Sequence, residues 1–135
     1  VDVHGTPVRI GGINHFAPRY QRTRGDARSE ELVIIACHSP DHYAKAAEHI
    51  PQMDLYLCGH THGGQVGLVS WGLNWTVVSG LFGQPDHGFW ARGADRMYVH
   101  RGTGHYGFPL RLGVPGEESL LRVSWPTPSL AAASG

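Results

Sequence analysis

Only one of the eleven basic residues is a lysine, Lys45, and eleven acidic residues balance them to a formal net charge of zero. Without a basic excess the chain lacks the electrostatic footprint of a nucleic-acid binder, so no nucleic-acid partner is expected. No apolar run approaches the roughly 20 residues of a transmembrane helix, so no transmembrane segment is expected. Cysteine is scarce too. Cys37 and Cys58 form neither a disulfide framework nor a C-x-x-C pair. Each closes an apolar run just before a histidine or glycine, and reads as a buried strand thiol rather than a metal ligand. The chain begins at Val1 instead of Met, and reads as a fragment, a processed chain or a trimmed one. Its 135 residues make one domain at most, with enough chain for a real core. Histidine is plentiful, with ten, which favours metal or acid–base chemistry where the rings converge.

Hydrophobic periodicity gives an α/β pattern. "VDVHGTPVRIGGI" alternates around a His-Gly turn and reads as a hairpin of strands 1–3 and 7–13. Residues 14–31 are polar and Arg-rich and read as loop. "LVIIAC" (32–37) is a continuous β-branched run, the pattern of a strand buried on both faces. Ser39 as N-cap, Pro40 at the first helical position and Asp41 in the first turn open a helix that runs to Ile50 and stops at Pro51. "MDLYLC" (53–58) is the next strand, so 32–58 form a β-α-β unit. Residues 63–96 read as a Gly- and aromatic-rich loop with short strands near 65–69 and 76–79. Strands are expected again at 96–102 and 119–125, and residues 126–135 read as a flexible tail.

His38 follows the first buried strand; His60 and His62 follow the second. Parallel neighbours in a β-α-β unit bring all three to the carboxyl edge of one sheet, where open α/β sheets place their sites. An i, i+2 pair on extended backbone points both rings one way. Gly59, Gly63 and Gly64 permit the sharp turn that such a site needs. One such histidine alone would be structural; three at adjacent strand ends favour a metal.

"ACHSPD", "LYLCGHTHGGQ" and "MYVHRGTGHYGFPLRLGVPGEESLLRV" together resemble the calcineurin-like metallophosphoesterases, closest to a bacterial subgroup with a Gly-His-Thr-His-Gly-Gly-Gln signature. The resemblance runs nearly to Trp125. It implies residues 1–125 as the carboxyl-terminal half of a metallo-dependent phosphatase-like domain, part of a four-layer αββα sandwich of two mixed sheets. It implies two divalent or trivalent metal ions (Mn, Fe or Zn), with His38 and His60 on the second and His62 on the first. It implies hydrolysis of a phosphate mono- or diester by a metal-activated hydroxide, and a cytoplasmic or peripheral-membrane location.

The family's upstream motifs, Asp-x-His, Gly-Asp-x-x-Asp and Gly-Asn-His, are not matched. Asp2 and His4 belong to the hairpin, Gly25-Asp26 has no strand leading into it, and "GGINH" ends a hairpin strand. No catalytic residue is therefore assigned within this chain. Charge agrees: three neutral imidazoles leave two ions about 4 Å apart uncompensated, so the carboxylates come from elsewhere. The expected partners are a phosphate-ester substrate and a missing amino-terminal half, a partner chain or a second copy. Arg111 and His105 match the family's downstream segment and read first as a loop-packing arginine and an exposed histidine, second as substrate contacts. Trp71, Trp75, Phe82, Phe89 and Trp90 read first as core, second as an apolar mouth for a lipid-linked phosphate ester. A non-catalytic metal-binding module and an interaction fragment are the rival readings.

Overall fold

A computed structural model describes residues 2–3, 6–18 and 31–124. The β-branched run Leu32–Cys37 (β3) lies inside a six-stranded mixed sheet. On one side of it lies Thr6–Ile13 (β2), which Asp2–Val3 (β1) flanks at the edge. On the other side follow Leu55–Cys58 (β4), Asp95–Val99 (β6) and Gly88–Arg92 (β5). β2, β3, β4 and β6 run parallel, and β1 and β5 are antiparallel to their neighbours. The chain is thus α/β, with a mixed sheet whose four central strands run parallel.

The helix after β3 forms as its punctuation demands. Ser39 Oγ accepts the Asp41 amide, and Pro40–His42 make a 3-10 turn that runs into Tyr43–His49 (α1). α1 lays Ala46 and Ile50 against Val33, Ile35, Tyr56, Met97 and Val99, which the strand register sets on one face of the sheet. Tyr56 donates its hydroxyl to the Ser39 carbonyl at 2.9 Å, tying β4 to the start of the helix. The opposite face carries Ile10, Ile34, Leu55, Leu57, Tyr98 and Phe89. Segment 117–119 covers it at Tyr98, whose hydroxyl meets Ser119 Oγ at 2.7 Å.

Several expectations need correction. β3 is not buried on both faces: Ala36 is exposed and Ile34 half-buried. The segment near 76–79 is helical, because Thr76 and Ser79 form a reciprocal capping box that opens Val77–Phe82 (α2); the β-branched "TVV" had suggested a strand. Strand β5 was missed in an aromatic-rich stretch. Residues 119–124 are not a strand. They pair with neither edge strand, β1 or β5, and Leu120 is fully exposed. Residues 4–5, 19–30, and the tail from 125 lie outside the described residues, and with them His4, Gly25-Asp26 and the end of the 119–125 expectation.

Both cysteines are free thiols, as expected. Cys58 is buried, and burial first, then Cys37, pushes its thiol up to about 12. A raised thiol pKa adds stability that is present below the ordinary thiol range and lost as pH rises from there toward 12. At pH 8, Cys58 should react with a disulfide reagent at least about a thousandfold more slowly than a free thiol, because so little thiolate is present. The check is thiol titration with and without denaturant; equal rates would show that Cys58 is not packed as described.

Candidate metal centre

β3, β4 and β6 stop level at one edge of the sheet. The Gly59 amide donates to the His38 carbonyl at 3.1 Å, and the His100 amide to the Cys58 carbonyl at 2.8 Å. This brings His60 beside His38: Nδ1 of His60 lies 2.8 Å from Nε2 of His38, with ring centroids 4.6 Å apart. The turn that presents His60 and His62 is conformationally costly. His60, His62 and Gln65 all have left-handed backbone, with φ of 73°, 52° and 55°. Strain of roughly 1–3 kcal/mol per such residue persists only where the surroundings hold it.

Those surroundings are specific. Thr61 donates its hydroxyl to the Asp86 carbonyl at 2.8 Å. Gln65 accepts the Tyr106 amide on its side-chain oxygen, and its backbone carbonyl accepts the Leu112 amide at 2.8 Å. Gly63 and Gly64 admit no side chain: a Cβ on Gly63 would sit 2.7 Å from Arg101 Cγ, and one on Gly64 2.8 Å from Thr76 Oγ1. Arg111 gives its guanidinium to backbone carbonyls, His62 at 3.1 Å, Arg101 at 2.8 Å and Gly104 at 2.8 Å. It is the loop-packing arginine, and His105 is exposed. Removing the Arg111 side chain strips these carbonyls of a charged donor, at about 1.5–3 kcal/mol for a hydrogen bond to a charged group. Arg111→Ala should therefore lower the melting temperature by several degrees and raise amide exchange in 60–65. Unchanged exchange there would mean that the loop is held without it.

Of the three predicted ligands, the structure joins His38 and His60 directly. His62 Nδ1 is buried with no hydrogen-bond partner. Among the described residues no group of three or more His, Cys, Asp or Glu is arranged to hold a metal ion as it stands, so the three rings do not close on a common point. The donor set nonetheless suits a cation. Two nitrogens each 2.0–2.1 Å from one tetrahedral ion lie about 3.3 Å apart, a small opening of the 2.8 Å His38–His60 pair. His62 Nδ1 is an unmatched donor atom two residues away. Partial burial, then His60, His15 and His62, lower the His38 pKa and favour the neutral, ligating imidazole.

Two site residues escaped the sequence reading. "GGINH" was set aside as the end of a hairpin strand, yet the other edge of β2 pairs in parallel with β3, Ile13 opposite Cys37. His15 therefore arrives at the same edge, with ring centroids 5.2 Å from His38 and 5.5 Å from His60. No local signal marks it, because the pairing depends on which edge of β2 meets β3. The second is Asp41, which lines a cavity of about 350 Å³ together with His60, Thr61, Gln65, Val78 and Tyr106. No carboxylate was expected at this edge. Asp41 Oδ2 accepts the Ser39 hydroxyl at 2.7 Å, so it is partly engaged by the capping residue.

The aromatic residues are not core. Trp71, Trp75, Phe82 and Phe89 are exposed, Phe89 at 73%; only Trp90 packs on the core, donating its indole N–H to the His87 carbonyl at 2.8 Å.

Comparison with known proteins gives a consistent neighbourhood. An uncharacterized metallophosphoesterase of Helicobacter pylori is 30% identical over 131 residues, covering 86% of this chain and 33% of that protein. The uncharacterized metallophosphoesterase YkuE of Bacillus subtilis is 32% identical over 111 residues, 79% of this chain and 37% of that protein. A zebrafish (Danio rerio) protein named as a transmembrane protein with a metallophosphoesterase domain is 30% identical over 123 residues, 82% of this chain and 26% of that protein. The chain thus spans about a third of the length of the curated relatives it matches. No protein-family model and no solved structure matches it.

Proposed function

We propose that this chain, which belongs with the calcineurin-like metallophosphoesterases and covers a partial, carboxyl-terminal region of them, supplies the histidine half of a two-metal site that hydrolyses a phosphate ester. The observation that carries the reading is the His38–His60 nitrogen contact at the carboxyl edge of the parallel strands. His38 and His60 would hold one ion, and His62, with its unmatched buried nitrogen, the other. When bound, such ions lower the pKa of water toward neutrality and neutralise the phosphoryl oxygens.

The chain's own residues do the positioning. The turn 59–65 is fixed from one side by Asp86 and from the other by Arg111, so His60 and His62 are presented on a rigid support. The cavity beside His60 offers a floor for the ester, with the Gln65 and Tyr106 side chains at its wall. No helix among the described residues is long and apolar enough to cross a membrane. A cytoplasmic or peripheral-membrane placement is the one we propose.

The test is equilibrium dialysis of the chain against zinc or manganese. One ion per chain is expected, with uptake largely lost in His60→Ala. A wild-type chain that retains no metal, or a His60→Ala chain that retains as much as wild type, overturns the reading.

A further inference from the structure

We infer that His15 is a further nitrogen donor of this site, turned over the edge of the sheet to the ion that His38 and His60 hold. The inference rests on the metal reading above and assigns a residue outside the three-histidine signature. Its first support is topological. β2 and β3 run in register to the same edge, so the residue two beyond Ile13 stands beside the residue that follows Cys37. Asn14 then folds the chain back by accepting the amides of Phe16 at 3.0 Å and Ala17 at 3.3 Å, which keeps His15 at the edge instead of running past it.

The second support is what surrounds the ring. His15 lies 5.2 Å from His38, 5.5 Å from His60 and 5.4 Å from His42, centroid to centroid. Its Nδ1 is buried and has no hydrogen-bond partner. A buried nitrogen left unmatched costs about 1–3 kcal/mol. The contact of His60 Nδ1 with His38 Nε2 at 2.8 Å leaves His15 Nδ1 unmatched, whereas a single cation among the three rings satisfies all of them at once. Phe16, edge-on to His15 at 5.1 Å, contributes no polar partner.

The chemistry sets the class of ion. Three imidazole nitrogens are the protein share of an open tetrahedral site and suit zinc, cobalt or nickel; calcium and magnesium take oxygen. With His15 included, the chain holds a borderline ion through nitrogen alone before any carboxylate joins.

Cobalt(II) titration of the 135-residue chain tests this, read by its visible absorption, which reports ligand type and geometry directly. The wild-type chain should take up cobalt with an intense tetrahedral-type spectrum. His15→Ala should weaken uptake at least about tenfold, the lower bound for loss even of an outer partner of a ligand, and shift the band. His15→Gln, of similar length and polarity, guards against a variant that merely misfolds; it should keep the wild-type far-ultraviolet circular dichroism and show the same loss. His49→Ala, on the exposed side of α1, should bind as wild type. If His15→Ala and His15→Gln bind cobalt with wild-type affinity and spectrum while His60→Ala does not, His15 is a bystander and the metal reading stands. If the wild-type chain takes up no cobalt, or His60→Ala takes it up unchanged, the metal reading falls and this inference with it.

Discussion

Supplied with manganese, iron or zinc, the 135-residue chain should hydrolyse an aryl phosphodiester no faster than buffer. The reason is charge. Two dications about 4 Å apart repel by four times a unit pair, roughly 16 kcal/mol at an effective dielectric of 20, and sites of this type need anions between them. At the edge described here the candidate donors are imidazoles, His15, His38, His60 and His62, which bring no negative charge, and the single carboxylate in the adjoining cavity, Asp41, is engaged by Ser39. One ion can be held by such a set; two close together cannot. A longer protein that adds carboxylates at this edge should be active. There His60→Ala should cut kcat/KM by at least about a hundredfold, since even an outer partner of a metal ligand is worth ten- to a hundredfold. Metal-dependent turnover by the 135-residue chain, abolished by His60→Ala, would refute the incomplete-site argument.

What the sequence revealed followed from strong local chemistry. "LVIIAC" and the Ser39-Pro40-Asp41 start signal gave β3 and α1 within a residue or two, because β-branching and capping act over a few positions. The Gly-His-Thr-His-Gly-Gly turn located the site, since only a chain that must reverse at a strand end places glycines beside paired histidines. The failures were non-local. Whether "GGINH" ends a free hairpin or a parallel strand depends on which edge of β2 finds β3, and no feature within residues 6–15 decides that. The exposure of Trp71 and Phe82 was equally hidden. Aromatic residues are ordinarily buried, and only the packing of the loop shows that no layer lies above them among the described residues. At 76–79 a β-branched run lost to a capping box that lay in plain view, Thr76 with Ser79 three residues on.

At micromolar concentration the 135-residue chain should scatter light as a species at least twice the mass of one chain, or recruit its complement if that is added. α1 covers one face of the sheet and leaves the other only partly covered. On that second face Ile10 is 65% and Phe89 73% exposed, while Ile34 and Leu57 are half-buried and Ala36 is open. Completing the burial of a large apolar side chain is worth up to about 1.5–3 kcal/mol, so Ile10, Phe89, Ile34 and Leu57 represent on the order of 5 kcal/mol of burial still unrealised. A domain whose whole stability is about 5–15 kcal/mol gains much by covering such a face. The occupant proposed is the second sheet of a sandwich, from an amino-terminal half, a partner chain or a second copy; the 135-residue chain alone has only the last available. Ile10→Lys with Phe89→Lys should shift the species toward monomer with little change in fold, because both side chains already face solvent. A wild-type chain that stays monomeric across a hundredfold concentration range and melts cooperatively would show that this face needs no cover, and the two-sheet arrangement would not apply to it.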